Sequence, residues 1–419
     1  MARYQIPYSR TTMSFSLPDG LRIDYLSPAD FPAAKNPIQL VSKAIAFPLG
    51  SKKLSQFTGI RSVAIALNDK TRPVPHKYLL PPLLEELEQN GVKPEQIKLI
   101  IATGAHPVMP PEEYSRVIPP RILDRYLVKC HDASDEENLV FSGQTTRGTP
   151  VFTNKHFMRA DLRLVVGNIE PHQFQGFSGG VKSAAIGLAG RRTINHNHSL
   201  MSDANAHLGI YEQNPARQDV EEIGQIIKVD FALNAILNEN KEIIHVVAGD
   251  PRKVMQTGIP LARQVCQIKT EGNYDLVIAS PGGYPKDINL YQAQKGLAHA
   301  CMVTRPGGVI ILAAACPEGS GSQAYETWMQ GMRSFNQVIE RFLSEGFQIG
   351  PHKAYQIARD ASYARLMLLS DMPPGFVRSL LIDPVDNLQH SINEILQESR
   401  QVNKIAIMPR ASSTIPDLV

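Results

Sequence analysis

The residues best able to do chemistry lie in the run Glu170-Pro171-His172-Gln173-Phe174-Gln175-Gly176-Phe177-Ser178-Gly179-Gly180-Val181-Lys182, and in Asn195-His196-Asn197-His198 shortly after it. A neutral imidazole is the usual general base near pH 7, so His172, among the polar side chains of Glu170, Gln173 and Ser178, is a candidate acid/base group. Lys182 closes a glycine-rich turn of a kind that suits a phosphorylated cofactor, held either by charge or by a covalent bond. The spacing is not that of a P-loop, which needs two glycines separated by four residues and then Lys and Ser or Thr. His196 and His198 stand two apart. They diverge on a helix and point the same way on a strand, so a helical segment offers one metal ligand rather than two. They do not form an H-E-x-x-H zinc motif.

Two further groups precede this stretch and one follows it. Asp69, Thr71 and Arg72 combine an acceptor, a hydroxyl and a planar fork of donors that can pair bidentately with a phosphate or carboxylate. His106 ends Thr103-Gly104-Ala105-His106, where a second histidine could face one substrate from the side opposite His172. Gln292 and Lys295, beside Tyr291, are three apart and share a helix face suited to a carbonyl or carboxylate. Each group has a plain reading as well: a structured turn with a solvated Arg, a structural histidine, a solvated helix face. Gly282-Gly283 lacks the glycine fingerprint of a dinucleotide site, so ordinary NAD binding has little support.

The elements that must position these groups follow one plan. Apolar runs at Ser62–Leu67, Ile97–Ala102 and Leu162–Val166 read as buried strands, each running into one of the polar loops and separated by helical material such as Tyr78–Gln89. Strand, polar loop, then helix argues for a largely parallel α/β sheet with ligand groups at the carboxyl ends of its strands. Val181–Leu188 is expected to be a helix behind the glycine turn. A second α/β unit starts at the strand Tyr274–Ser280, continues through the helix Leu290–Met302 and the strand Val309–Ala313, and ends with Lys404–Met408. Residues 12–27, with the turn Pro18-Asp19-Gly20, predict an N-terminal hairpin. The expected organisation is two domains, 1–265 carrying the histidines and Lys182, and 266–419 contributing substrate-site residues, with the site in the cleft between them.

Composition excludes several classes. A formal net charge of +3 over 419 residues gives no nucleic-acid-binding surface. The four cysteines, without a CxxC pair, form neither a disulfide framework nor a thiolate zinc site. No stretch approaches the roughly 20 apolar residues of a membrane span, and the first residues do not read as a signal peptide, so a cytoplasmic location is expected.

Together the motifs resemble the nickel-dependent lactate racemase family over most of the chain. The matching pieces are Asp69-Lys70-Thr71-Arg72-Pro73, Gly104-Ala105-His106, Glu170-Pro171-His172 with Gly176 to Lys182, His198, and Gly283-Tyr284-Pro285-Lys286-Asp287 with Tyr291, Gln292 and Lys295. The resemblance implies a nickel-pincer nucleotide, a pyridinium-3,5-bisthiocarboxylic acid mononucleotide bound covalently at Lys182 through a thioamide, with His198 as the protein's nickel ligand. It implies His106 and His172 as the two acid/base residues, and Arg72, Tyr291, Gln292 and Lys295 as substrate contacts. Asp69, Thr71, Arg72, Ser178, Gly179 and Gly180 would line the cofactor, the glycines admitting a bulky nucleotide.

The implied reaction is racemisation or epimerisation of a small 2-hydroxy acid, lactate being the leading candidate. Hydride passes from C2 to the cofactor and back to the opposite face of a planar 2-oxo acid, and the enzymes that make the cofactor are implied partners. Pro107, Gln175 and Ala185-Ile186-Gly187-Leu188 depart from the family pattern, and relatives are expected to act on larger or more polar 2-hydroxy acids. Two other readings stay open: a non-catalytic cofactor-binding relative, and a metal-dependent lyase or hydrolase using the same histidines.

Overall fold

The structure is a computed structural model that describes residues 1–72, 74–398 and 402–419. Pro73, the last residue of the first motif, lies outside them. The chain divides into two compact units, Asp30–Val265 and a unit made of Met1–Ala29 together with Cys266–Val419.

In the unit Asp30–Val265 the main sheet of the described residues has six strands in the order Ile243–Gly249, Phe231–Leu237, Leu162–Asn168, Val63–Asn68, Ile97–Ala102 and Leu127–Cys130. All neighbours are parallel except the edge strand Ile243–Gly249. Every residue of Val63–Asn68 is buried, because helices cover both faces, and this is why the strand reads as an unbroken apolar run. The helices Pro37–Ala46 and His76–Gln89 build one core against it through Val41, Ile45, Leu79, Leu83 and Leu87. Asn36 caps the first of these, its side chain accepting the Gln39 N–H at 3.1 Å.

The strand order reverses beside Val63–Asn68: the next two strands run to one side of it, whereas Leu162–Asn168 pairs on the other. Such a switch point leaves a crevice at the carboxyl ends of the strands. The three polar loops begin there, in register, with Asn68 opposite Ala102 and Leu67 opposite Val166.

The second unit holds an all-parallel sheet in the order Asp383–Val385, Arg365–Leu369, Thr304–Ala313, Tyr274–Ala279, Lys404–Met408 and Arg22–Tyr25. The expected first domain is corrected here, because Met1–Ala29 fold in this unit and not with the histidines. The hairpin is also shifted. It pairs Ala2–Tyr8 with Thr11–Leu17 around Ser9, whose φ is +51°. The strand after Pro18-Asp19-Gly20 turns away to pair with Lys404–Met408. Ile6, Phe15 and Leu17 of the hairpin cover one face of the sheet together with Leu388 and Ile392. Burying those apolar positions drives the arrangement.

The stretch Val181–Leu188 forms a single helical turn, Lys182–Ala185, instead of the longer helix expected. Gly187 approaches Ala102 and Ser183 so closely that a Cβ there would lie 2.7 Å from Ala102 Cβ and 2.3 Å from the Ser183 carbonyl oxygen. The chain is packed directly onto the sheet and does not continue as a helix.

Candidate active site

Asp69 follows the central strand and is 3 % exposed. Its Oδ1 accepts the Thr71 hydroxyl at 2.7 Å and the Thr71 N–H at 3.2 Å, and its Oδ2 lies 2.7 Å from His106 Nδ1. Burial raises the Asp69 pKa, but the hydrogen bond and charge of His106, with Thr71 and Arg72, outweigh it and hold the carboxyl below its ordinary value. An ionised carboxylate only accepts, so the hydrogen-bond partners assign the proton to His106 Nδ1 and the lone pair of the neutral ring to Nε2.

His172 has the opposite assignment. It sits in a short antiparallel pair, Pro171–His172 with Gly176–Phe177, and its Nδ1 receives the Gln175 N–H at 3.3 Å. Its neutral ring therefore carries the proton on Nε2. The geometry fixes one imidazole to accept at Nε2 and the other to donate there. Arg72 Nη1 reaches Ser178 Oγ at 3.1 Å and Glu170 Oε1 at 3.4 Å, and Lys241 Nζ flanks the other oxygen of Glu170 at 3.8 Å.

The glycine turn is built from behind. Arg217, fully buried on the helix Pro215–Ile226, donates to the carbonyls of Phe177 and Gly179, both at 3.0 Å, and pairs with buried Glu221. The Gly180 N–H donates to Asn234 Oδ1 at 2.7 Å. The glycines serve close packing against the protein itself. A Cβ on Gly176 would lie 1.8 Å from the Ile210 carbonyl oxygen, and one on Gly179 or Gly180 would lie 2.7 Å from Ile169 or Met255. All three have positive φ. This packing presents Lys182, 9 % exposed, at the end of the turn.

His196 and His198 lie on the helix Arg191–Ser199, where a separation of two residues turns them apart. His196 Nδ1 faces the Thr149 hydroxyl at 2.8 Å. His198 instead packs edge-on to Phe174, centroids 5.0 Å apart, and Phe174 meets His172 in the same way at 4.9 Å. His198 therefore shares a cluster with His172, and His196 has different neighbours.

In the other unit, Asn289 caps the helix Leu290–Cys301 by accepting the Gln292 N–H at 3.0 Å, and Lys295 Nζ donates to Gln292 Oε1 at 2.8 Å. Gln292 and Lys295 do share a face. Tyr291 lies under Lys353 Nζ, 4.7 Å from its ring centroid, with its hydroxyl 3.4 Å from His352 Nε2. Burial pushes the Tyr291 pKa up to about 12. Lys353 is 2 % exposed, held by Gln294 and Gln356, and burial together with the charge of Lys295 pulls its pKa well down. Sequence reasoning missed Lys353, Asn197, Arg217 and Asp219. A charged residue at an apolar helix position was the available signal for Arg217, Asp219 and Lys353, and nothing local marked Asn197.

Fold and site define a two-unit α/β protein that gathers two oppositely poised histidines, a buried lysine and a third histidine at one sheet switch point. The lactate racemase N-terminal domain family matches residues 8–209, and the lactate racemase C-terminal domain family matches residues 269–415. The chain belongs to the lactate racemase family. It is 29% identical to the lactate racemase of Thermoanaerobacterium thermosaccharolyticum over 99% of both chains, and 27% identical to that of Lactiplantibacillus plantarum over 98% of both. The solved apoprotein of the Thermoanaerobacterium lactate racemase superposes with a TM-score of 0.93 at 28% identity, covering 99% of this chain and 100% of that one. A Thermotoga maritima protein, 18% identical with a TM-score of 0.70 over 92% of this chain and 100% of its own, shares the fold. Among the described residues no helix is long and apolar enough to cross a membrane.

Proposed function

We propose that this chain interconverts the enantiomers of a short 2-hydroxy acid, lactate being the leading candidate. The observation that carries the reading is the opposite assignment of His106 and His172, from the loops after two strands of one sheet. His106 takes the proton of the 2-hydroxyl at Nε2, and His172 returns a proton from Nε2 to the oxygen at C2 once the configuration has inverted. In the reverse direction the roles exchange. Asp69 holds His106 in the accepting tautomer and stabilises the imidazolium that forms, and Thr71 holds Asp69. Arg72 supplies donors and positive charge for the substrate carboxylate.

The residues suit a nickel-pincer nucleotide. Asn168 Oδ1 and Gln175 Oε1 are buried acceptors without a hydrogen-bond partner among the described residues, so a bound group that supplies donors would satisfy them. Among the described residues no group of three or more His, Cys, Asp and Glu side chains could hold a metal ion, so a metal at His198 suits a group that brings ligands of its own. Lys182 would attach that group and His198 would ligate its nickel; its chemistry when bound is reversible acceptance of hydride from C2.

The test uses protein co-produced with the enzymes that make the cofactor. Intact mass spectrometry should show an adduct that Lys182→Ala abolishes, and chiral chromatography should show D- and L-lactate converging on a racemic mixture. An adduct without interconversion of any 2-hydroxy acid would leave the chain as a cofactor-binding relative and end the catalytic reading.

A further inference from the structure

We propose that Asp219, on the helix Pro215–Ile226, is a positioning residue that fixes which ring nitrogen of His198 carries the lone pair, and so prepares this histidine to bind a metal. The proposal rests on the functional reading only in taking His198 as the metal-facing histidine.

Asp219 is fully buried. Its Oδ1 accepts the Thr145 hydroxyl at 2.6 Å, and its Oδ2 accepts the Thr149 hydroxyl at 2.8 Å and the Asn197 amide at 2.9 Å. Asn197 Nδ2 also donates to the Ala216 carbonyl at 2.8 Å. An ionised carboxylate and a carbonyl can only accept, so the nitrogen end of the Asn197 amide must face them. Its oxygen is thereby turned toward Gln175 Nε2, at 2.9 Å, and His198 Nδ1, at 3.2 Å. An amide oxygen cannot donate. His198 must therefore hold its proton on Nδ1, and the lone pair of the neutral ring falls on Nε2.

The same carboxylate governs His196. The single hydroxyl proton of Thr149 goes to Asp219, which leaves an oxygen lone pair for the Nδ1–H of His196. Two histidines of one helix thus take their tautomer from one buried anchor, and only His198 packs on Phe174 beside His172. Metal-ligating histidines commonly donate their second nitrogen to such a partner, whose loss weakens metal affinity about 10–100-fold.

The test begins with the full-length protein labelled with ¹⁵N-histidine, at a pH where the imidazoles are neutral, with His198→Gln assigning the signals. Long-range ¹H–¹⁵N spectra should show a protonated Nδ1 and an unprotonated Nε2 for His198. Asp219→Asn turns one of the two acceptors that orient the Asn197 amide, the Ala216 carbonyl being the other, into a group that can also donate, which loosens the amide and should raise the share of His198 in the Nε2–H form. In cofactor-loaded protein the same variant should retain nickel against EDTA about 10–100-fold less well. Thr145→Val deletes a hydrogen bond to the same carboxylate but leaves Oδ2 in place, so neither the spectrum nor nickel retention should change. An Nε2–H tautomer in the unsubstituted protein overturns the proposal, whether or not Asp219→Asn folds. Equal nickel loss in both variants overturns it as well, because that is the outcome of a merely structural role. Absence of an adduct or of racemisation would count against the functional reading and leave the spectrum to decide this one.

Discussion

Arg217 offers the sharpest quantitative test of how the glycine turn is held. Its guanidinium is fully buried and Glu221 is 5 % exposed, so the pair sits in a medium where an unpartnered charge is costly. Arg217→Met leaves the Tyr211 hydroxyl, at 3.0 Å, donating to Glu221 Oε1, and strips the Arg217 donors from the Phe177 and Gly179 carbonyls. Breaking a buried pair in this way costs about 3–5 kcal/mol. That is a large part of the roughly 5–15 kcal/mol that keeps a domain folded.

The double variant Arg217→Met/Glu221→Leu removes the stranded charge and should recover part of the loss, since the uncompensated charge no longer has to be buried. The two carbonyls still lack their donors, at about 1–3 kcal/mol each, so recovery stays incomplete. Urea denaturation followed by far-ultraviolet circular dichroism reads both quantities. Intact mass after co-production with the cofactor-making enzymes should show poor Lys182 modification in both variants, because the turn remains unbuttressed. A single variant that loses less than about 1 kcal/mol, or a double variant no more stable than the single, would refute the reasoning.

Other consequences follow from the same geometry. Asp69→Asn lets His106 adopt either tautomer and should lower the rate of lactate interconversion by about 10²-fold or more in both directions, measured as initial rates from each enantiomer. Gly176→Ala forces a Cβ to within 1.8 Å of the Ile210 carbonyl oxygen at a φ of +68°, and should lower the thermal midpoint by an amount corresponding to at least about 1–3 kcal/mol. Burial lowers the pKa of His76 and of His299 to about 4, against backbone carbonyl hydrogen bonds that raise both; Lys286 and Lys295 lower His299 further. Both folded-state values lie below the unfolded value of about 6.5, so their contribution is complete above pH 6.5 and is lost as pH falls from there toward 4. The loss amounts to as much as about 3 kcal/mol for each group, and a urea midpoint unchanged between pH 7 and pH 4.5 would contradict it.

What could be read in advance was whatever local pattern determines. Ile97–Ala102 and Lys404–Met408 are apolar runs because sheets covered on both faces leave no polar side, and their limits were visible in the sequence. The strand Phe231–Leu237 was not, because Asn234 interrupts it. That asparagine is 1 % exposed and accepts the Gly180 N–H, so the break in pattern is the price of supporting the glycine turn. The histidines and Lys182 stood out by chemical type and motif. Their supports did not, since Asn197 and Asp219 lie 22 residues apart and meet only through packing. The partner of Arg22–Tyr25 was equally hidden, because no local signal links Arg22 to Lys404.

That last pairing has a consequence for biogenesis. The ribosome releases Arg22–Tyr25 long before Lys404–Met408 exists, so that strand must wait for its partner while the residues between them are made. Meanwhile Asp30–Val265 is continuous and can fold as soon as it has emerged. The histidine-bearing unit is thus the first to mature, and the unit that joins Arg22–Tyr25 to Lys404–Met408 is the last to close.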